Sequence, residues 1–261
     1  MMPAFFTGKT VKLDHDINVT AAAGTKNRFT GTFDGQGHSI TLALGTSESP
    51  TKLDGALFKY CRDCVIQNLH VDGSIVNDGI NAAGFIRLAS GSATLRNCRS
   101  SVVITEMGKG ICYDGGFVGS VNSGADLTIE GCIFDGKLLT TTTASGCSGF
   151  VGENTGTVAI TDSLYSPLSI NSGETEVNAN KGFTFVRNLK RNGVTGTSTI
   201  TNSYYTRTLG TEQGKLAHTI TAGENVTLAP KGKATAYSVS GITAYADNDG
   251  LKYGDKLYAG N

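Results

Sequence analysis

Two stretches of this sequence share one pattern: G-G-F-V-G-S-V-N-S-G-A-D-L-T-I-E-G-C at residues 115–132 and S-G-F-V-G-E-N-T-G-T-V-A-I-T-D-S at residues 148–163. Outward from this pair, the phenylalanine recurs at intervals of 27, 32, 33 and 33 residues, in the series Phe58, Phe85, Phe117, Phe150 and Phe183. Phe33 precedes the series by a further 25 residues. A second series has intervals of 29, 34, 31 and 40 residues and consists of Ile66, Leu95, Ile129, Ile160 and Ile200. Two series that advance together identify a repeat protein.

The segments between these positions predict strands. Residues 65–71, 94–104 and 127–139 are rich in β-branched side chains and bounded by glycine, asparagine, aspartate and serine. No stretch combines a helical apolar period with a capped start and stop. Short strands in each unit indicate turns of a coil that stack as parallel sheets, about 4.8 Å apart. We therefore predict an all-β fold, a single-stranded right-handed parallel β-helix of about six to seven coils with an internal phenylalanine stack.

A bend is predicted on every coil, two residues after each member of the second series. Asparagine, aspartate and glycine adopt a left-handed backbone most readily. Only these types occur there, at Asn68, Asn97, Gly131, Asp162 and Asn202. The residue after each bend is expected to point inward; these residues are Leu69, Cys98, Cys132, Ser163 and Ser203.

Composition excludes several classes of protein. The chain has 22 basic and 22 acidic residues, which argues against a nucleic-acid-binding protein. No apolar run is long enough to span a membrane, so membrane insertion is not expected. Glycine is abundant, at 35 of 261 residues, but the four prolines and the lack of a triplet period exclude collagen.

The repeats resemble a known family. The stretch G-T-F-D-G-Q-G-H-S-I at residues 31–40 resembles the opening coil of bacterial pectate-lyase-like right-handed β-helices. The stretches at residues 115–132 and 148–163 resemble the glycine-rich GLUG motif of large secreted or surface-attached bacterial proteins, which include adhesin-like proteins and the non-catalytic parts of immunoglobulin-A peptidases. The resemblance covers about residues 8–210. It implies the β-helix fold and export from the cell, and it implies no shared catalytic residues.

The repeat suggests two regions. Residues 1–215 are predicted to form the β-helix, and residues 216–261, which lack both series, a C-terminal β-rich cap or the start of a further module. In the last coil, 17 residues separate Phe183 from Ile200 and the stretch K-G-F-T-F-V lacks the second glycine, which predicts an inserted loop. Residues 1–6 have no pattern of a signal peptide.

The six cysteines are interpreted mainly as packing residues. Cys98 and Cys132 hold the same inward position on successive coils, where cysteine behaves as a small apolar residue. Cys61 and Cys64 have C-x-x-C spacing, but a zinc site would need a second close pair and a redox pair would need a helix start or a cationic setting. Cys112 and Cys147 lie in corresponding loops, where a disulfide is geometrically possible. The sequence predicts no metal and no cofactor.

Parallel β-helices include polysaccharide lyases and hydrolases. Such lyases gather carboxylates for Ca²⁺ on one face, with a basic residue as proton acceptor. One outward column is predicted at Gln67, Arg96, Glu130, Thr161 and Thr201, and a second at His70, Arg99, Ile133, Leu164 and Tyr204. Neither column stacks two acids. Asp72 and Asp135 share a position two coils apart, at about 10 Å, and are interpreted as turn residues of D-G pairs. The four histidines, His15, His38, His70 and His218, are expected to be surface or turn residues.

No catalytic residue is therefore predicted, and a non-enzymatic role is favoured. The expected function is a secreted or cell-surface β-solenoid that presents a surface to a glycan or a host or surface protein, or acts as a spacer, as a monomer or as one module of a larger chain. Loops at residues 140–145 and 171–180 are candidate binding elements. Tyr165, Tyr204 and Tyr205 form a candidate sugar platform, with the alternative that the inward members of this set are core residues. The alternative is a carbohydrate-active β-helix enzyme, a polysaccharide lyase or glycoside hydrolase.

Overall fold

The chain is a parallel β-solenoid. Its computed structural model describes residues 6–177 and 181–216, together with the backbone of four strands after residue 224. These described residues contain no α-helix and therefore no helix that could span a membrane. The all-β, parallel architecture predicted from the repeat is confirmed.

The first sheet forms one wall of the solenoid. Its ten strands are β1 Thr10–Lys12, β3 Phe29–Asp34, β5 Phe58–Gln67, β7 Ile86–Arg96, β10 Val118–Val121, β11 Asp126–Glu130, β14 Val151–Asn154, β15 Thr157–Thr161, β17 Val186–Asn188 and β20 Thr197–Thr201.

The second sheet forms the opposing wall. Its ten strands are β2 Ile17–Val19, β4 Ser39–Leu44, β6 His70–Asn77, β8 Arg99–Ser100, β9 Val103–Glu106, β12 Ile133–Phe134, β13 Lys137–Thr140, β16 Leu164–Tyr165, β21 Tyr204–Tyr205 and β22 Lys215–Leu216. Every strand pair within the two large sheets is parallel. Together the sheets complete about five turns, fewer than the six to seven coils predicted from the repeat.

The second series of the repeat stacks as predicted. Its members align through the successive pairs Ile66 with Leu95, Leu95 with Ile129, Ile129 with Ile160 and Ile160 with Ile200. Phe33 aligns with Ile66 and therefore belongs to this column, which Val11 precedes by one coil, and not to the phenylalanine column in which the sequence placed it. The sequence assigned Phe33 to the phenylalanine column because the glycine-rich turn after it resembles the glycine-rich motif around the stacked phenylalanines.

The phenylalanine stack lies inside the solenoid, with two corrections to its ends. The ring centroids of Phe85 and Phe117 are 5.2 Å apart, and those of Phe117 and Phe150 are 4.8 Å apart. The next ring is Phe185, 4.9 Å from Phe150, whereas Phe183 aligns with Ser148. At the other end, Phe58 aligns with Ile86, the residue after the stacked Phe85. The ring of Phe58 packs on that of Phe29 instead, with their centroids 4.8 Å apart. Both shifts follow from loops whose lengths differ between coils.

The bend column is confirmed. Its five residues have φ angles between 47° and 60°, in the left-handed region: Asn68, Asn97, Gly131, Asp162 and Asn202. Side chains form part of a ladder, since Asn68 Nδ2 donates to Asp34 Oδ1 at 3.1 Å and Asn97 Nδ2 donates to Asn68 Oδ1 at 3.4 Å. The residues that follow the bends are all buried, as predicted.

The glycines before Phe117 and Phe150 are required by the opposite wall. A Cβ on Gly116 would lie 2.3 Å from Cδ2 of Phe134, and one on Gly149 would lie 2.5 Å from Cδ2 of Tyr165. An aromatic ring therefore packs directly on the backbone at these positions. Close packing of this kind leaves no room for even a methyl group.

The inserted loop and the C-terminal region complete the chain. The predicted insertion is a short antiparallel hairpin of β18 Lys190–Arg191 and β19 Val194–Thr195. Beyond the solenoid, the order in a four-stranded sheet is β24 Tyr237–Gly241, β23 Asn225–Leu228, β25 Thr243–Asp247 and β26 Gly250–Tyr253. Most of residues 216–261 lie outside the described part, so the division into a cap or a further module stays a prediction.

Candidate functional site

Asp135 lies in a closed polar cluster on the second sheet. Asp72, Ser101 and Asp135 follow aligned residues of β6, β8 and β12, so they share one position on successive coils, as predicted. Arg99 Nε donates to Asp135 Oδ2 at 2.9 Å, and Ser101 Oγ donates to Asp135 Oδ1 at 2.5 Å. The side chains of Arg99 and Asp135 are only 8% and 2% exposed. Asp135 is thus the acceptor of a buried ion pair, which the turn interpretation did not include.

His70 extends this cluster. Its Nε2 lies 2.8 Å from Ser101 Oγ, and its Nδ1 lies 3.3 Å from Ser39 Oγ. Because Ser101 gives its proton to Asp135, the network assigns the ring proton to Nε2 and leaves Nδ1 as an acceptor. Burial, assisted by the positive charge of Arg99, holds the pKa of His70 below its ordinary value. His70 is buried, so its interpretation as an isolated surface residue was wrong.

The His70 network, which comprises Ser39, His70, Arg99, Ser101 and Asp135, does not have the order of a catalytic triad. In a triad the histidine lies between the serine and the acid and takes the serine proton. Here the serine lies between the histidine and the acid, so Ser101 Oγ already donates to a carboxylate. Asp135 in turn is occupied by Arg99 and Ser101. This arrangement links four successive coils, through β4, β6, β8 and β12; it does not activate a nucleophile.

Two of the other histidines lie near acids at the first coils. His38 Nδ1 is 3.2 Å from Asp16 Oδ1, and His15 is a mostly exposed residue whose Nδ1 is 2.5 Å from Asp14 Oδ1. Their turn and surface interpretation is confirmed. His218 lies outside the described residues.

The two predicted outward columns differ in exposure. The first aligns as predicted and carries a hydrogen bond from Arg96 to Gln67 Oε1 at 2.7 Å. The second aligns as well, but it is buried along its whole length, from His70 and Arg99 to Ile133, Leu164 and Tyr204. The side chains of the second column alternate with core residues along their strands, but they are buried and not exposed to solvent.

The proposed sugar platform was wrong. Tyr165, Tyr204 and Tyr205 are at most 4% exposed. The ring of Tyr165 stacks on Phe134 at 5.5 Å, in the core position that requires Gly149. Tyr165 and Tyr205 belong to the core, Tyr204 lies in the buried second column, and none of the three presents an exposed aromatic face to a ligand.

The candidate loops are partly ordered by ion pairs. Thr140 ends β13, while residues 141–145 form a turn in which Thr142 Oγ1 donates to the Gly108 carbonyl. In the second loop, Glu174 Oε2 is 2.6 Å from Lys137 Nζ, and Glu176 Oε1 is 2.6 Å from Arg207. Residues 178–180 lie outside the described part.

An apolar cavity of about 440 Å³ opens at the first coils. Its wall includes the rings of Phe6, Phe29, Phe33 and Phe58. Among the described residues, its lining includes Lys26 and Arg28 but no carboxylate.

Two cysteine pairs pack in the core. Cys98 and Cys132 are fully buried in one column, which confirms their predicted role. Cys61 and Cys64 lie in β5, and a bulge at Arg62 with a left-handed Asp63 turns both thiols inward. Burial raises the pKa of Cys61 and of Cys132 well above the ordinary value, so neither is a reactive thiolate.

The third pair lies in a cluster that the sequence did not reveal. Cys112 and Cys147, one repeat apart, meet Asp114, and their ligand atoms all lie within 4.8 Å of one another. Burial raises the pKa of Asp114 and of Cys147 well above their ordinary values, while a hydrogen bond from Cys147 lowers the pKa of Cys112. The available signal was the C-x-D spacing of Cys112 and Asp114, which gains meaning only when the next coil supplies Cys147.

Comparison with known proteins gives one distant neighbour. No protein-family model matches the chain, and no curated protein matches it. The fold is similar to the crystal structure of a "putative immunoglobulin A1 protease from Bacteroides ovatus", with 16% sequence identity and a TM-score of 0.44. The match covers 81% of this chain and 76% of that one.

Proposed function

We propose that this chain is a non-enzymatic β-solenoid module of a secreted or cell-surface bacterial protein, which presents a binding surface to a glycan or a protein. One observation carries the proposal: Asp135, whose carboxylate shares its position on the coil with Asp72, is buried and bound by Arg99 and Ser101. A general acid or base must reach its substrate and exchange a proton with it. A closed ion pair does neither, whereas it does hold neighbouring coils in register.

The regular scaffold leaves its loops free for recognition. Three exposed apolar side chains, Leu53, Ile80 and Ile111, belong to loops that follow one another along one edge. The order of these loops is given by backbone hydrogen bonds, from Asp78 N to the Thr51 carbonyl and from Met107 N to the Asn77 carbonyl, both at 2.7 Å. Exposed apolar patches on a soluble protein mark interaction sites, and we propose that these three side chains contribute to one. We call these three residues the loop edge.

The enzymatic alternative is tested by turnover. The purified chain is incubated with a panel of uronic-acid and neutral polysaccharides, and unsaturated and reducing ends are measured. We expect none above the level of heat-denatured protein. Reproducible turnover that Asp135→Asn abolishes in folded protein would establish the enzyme instead.

The binding role is tested on the same panel and on a glycan array. Saturable binding is expected to weaken in Ile80→Ser and Ile111→Ser, which alter the loop edge. Leu168→Ser and Val194→Ser are matched controls, since both residues are similarly exposed but belong to other loops. If all four variants bind equally, the loop edge is not the binding surface; if nothing binds, the module acts as a spacer.

A further inference from the structure

The cluster at Cys112 is assembled by two loops from adjacent coils. Cys112 N donates to the Ser145 carbonyl at 2.9 Å, and Ser148 N donates to the Asp114 carbonyl at 3.0 Å. These two backbone hydrogen bonds flank the cluster and place the loops side by side. The side chains of Cys112, Asp114 and Cys147 are all buried, with exposures of 4%, 1% and 0%.

A second carboxyl group is buried beside these three residues. Glu106 is fully buried and close enough to Asp114 for the two carboxyl groups to shift each other's pKa. Its Oε2 accepts a hydrogen bond from Asn77 Nδ2, and its Oε1 accepts one from the backbone N–H of Gly108, both at 2.6 Å. One side of the cluster is therefore held in place by a shell of hydrogen bonds.

Among the described residues, no ion pair joins a lysine or arginine to Glu106 or Asp114. The lysine and arginine ion pairs found there involve other acids, and Arg187 donates to the Gly146 and Cys112 carbonyls. Two carboxyl and two thiol groups buried together must remain largely protonated unless a cation compensates them.

The donor atoms suit one class of ion. Two thiolates and a carboxylate are ligands typical of Zn²⁺, which binds them tetrahedrally. Zinc–sulfur bonds of about 2.3 Å and zinc–oxygen bonds of about 2.0–2.2 Å place ligand atoms roughly 3.5–3.8 Å apart. Asp114 Oδ2 and Cys147 Sγ are already 3.8 Å apart. Asp114 Oδ1 accepts a hydrogen bond from Ala82 N at 2.7 Å, which orients the carboxylate.

We propose that Cys112, Asp114 and Cys147 form a zinc site that cross-links two neighbouring loops of the solenoid. Glu106 or a water molecule supplies the fourth ligand. The ion joins two consecutive coils beside Ile111 of the loop edge and so fixes the conformation of that part of the surface. This site is independent of whether the loop edge binds a glycan or a protein.

The chain provides a matched control for this site. Cys98 and Cys132 are also a buried thiol pair on adjacent coils, but the three-ligand cluster found in the described residues includes neither of them. Wild-type protein, prepared reduced and supplied with zinc, is expected to retain about one zinc ion per chain after gel filtration, measured by elemental analysis. Cys98→Ser/Cys132→Ser should retain it. Cys112→Ser/Cys147→Ser should lose it, and Asp114→Asn should weaken zinc affinity by about tenfold or more.

Two measurements on the unaltered chain keep the test decisive if a variant fails to fold. Co²⁺ is expected to give a thiolate-to-metal charge-transfer band in the near ultraviolet, and zinc is expected to protect Cys112 and Cys147, but not the other thiols, from alkylation. Reduced wild-type protein that binds no zinc, zinc retained by Cys112→Ser/Cys147→Ser, or a Cys112–Cys147 disulfide in protein kept from oxidants would each overturn the proposal.

Discussion

Replacing Gly131 with asparagine is expected to stabilise the solenoid by about 1 kcal/mol, because it completes a broken ladder. The ladder runs from Asp34 through Asn68 to Asn97 and then stops at Gly131. Oδ1 of Asn97 is buried and has no hydrogen-bond partner in the described structure. An asparagine at position 131 would direct its Nδ2 toward Asn97 Oδ1, in the same way as Asn97 Nδ2 donates to Asn68 Oδ1.

The magnitude follows from two contributions. A new hydrogen bond to a buried acceptor stabilises by about 0.5–1.5 kcal/mol. The backbone is already suitable, since φ is 60° at Gly131 and 52° at Asn97. For a chain of this size, 1 kcal/mol corresponds to a rise of about 2–4 °C in the unfolding midpoint. Gly131→Ala should instead destabilise the protein by about 1–2 kcal/mol, because alanine is strained in the left-handed region and forms no hydrogen bond.

Thermal and guanidinium unfolding, followed by circular dichroism, measure the effect. Gly124→Asn is the control: Gly124 also has a left-handed φ, of 73°, but no atom lies within 4 Å of the Cβ it would gain. It reports the effect of the same substitution outside the ladder. The reasoning is refuted if Gly131→Asn stabilises the chain no more than Gly124→Asn does.

Three further substitutions test the core, the ion pair and the buried histidine. Phe117→Ala removes a ring stacked at 5.2 and 4.8 Å on its neighbours and should cost about 3–5 kcal/mol in chemical denaturation; a loss below about 1 kcal/mol would contradict the stack. Asp135→Ala leaves Arg99 buried without its partner and should cost about 3–5 kcal/mol, whereas Arg99→Met/Asp135→Leu should recover most of it; equal losses in the two variants would contradict the ion-pair account. Because burial lowers the pKa of His70, its contribution is fully present above its unfolded pKa of about 6.5 and is lost as the pH falls toward its folded pKa. The unfolding midpoint of the wild type should therefore fall more between pH 7 and 5 than that of His70→Gln; parallel curves would show that His70 does not titrate in this way.

The sequence was sufficient where a position repeats on every coil. The Ile66 column and the bend at Asn97 could be predicted because each coil needs the same backbone shape and the same inward side chain. It was insufficient where spacing changes between coils. Phe183 follows the glycine that marks the motif of the stacked rings, but the ring that stacks on Phe150 belongs to Phe185. The register depends here on the length of loops that the repeat does not constrain. His70 has the local context of a surface residue, and only contacts with strands before and after it bury the ring.

The amino-acid sequence by itself determined that this protein is a stack of parallel coils, because left-handed bends and inward apolar residues are local requirements that recur with the chain's own period. The tertiary structure alone decided which polar groups meet across coils: Arg99 with Asp135, and Cys147 with Cys112 and Asp114. These partners come from loops and short strands of different length, more than thirty residues apart, and their contact depends on how far each loop shifts the next coil.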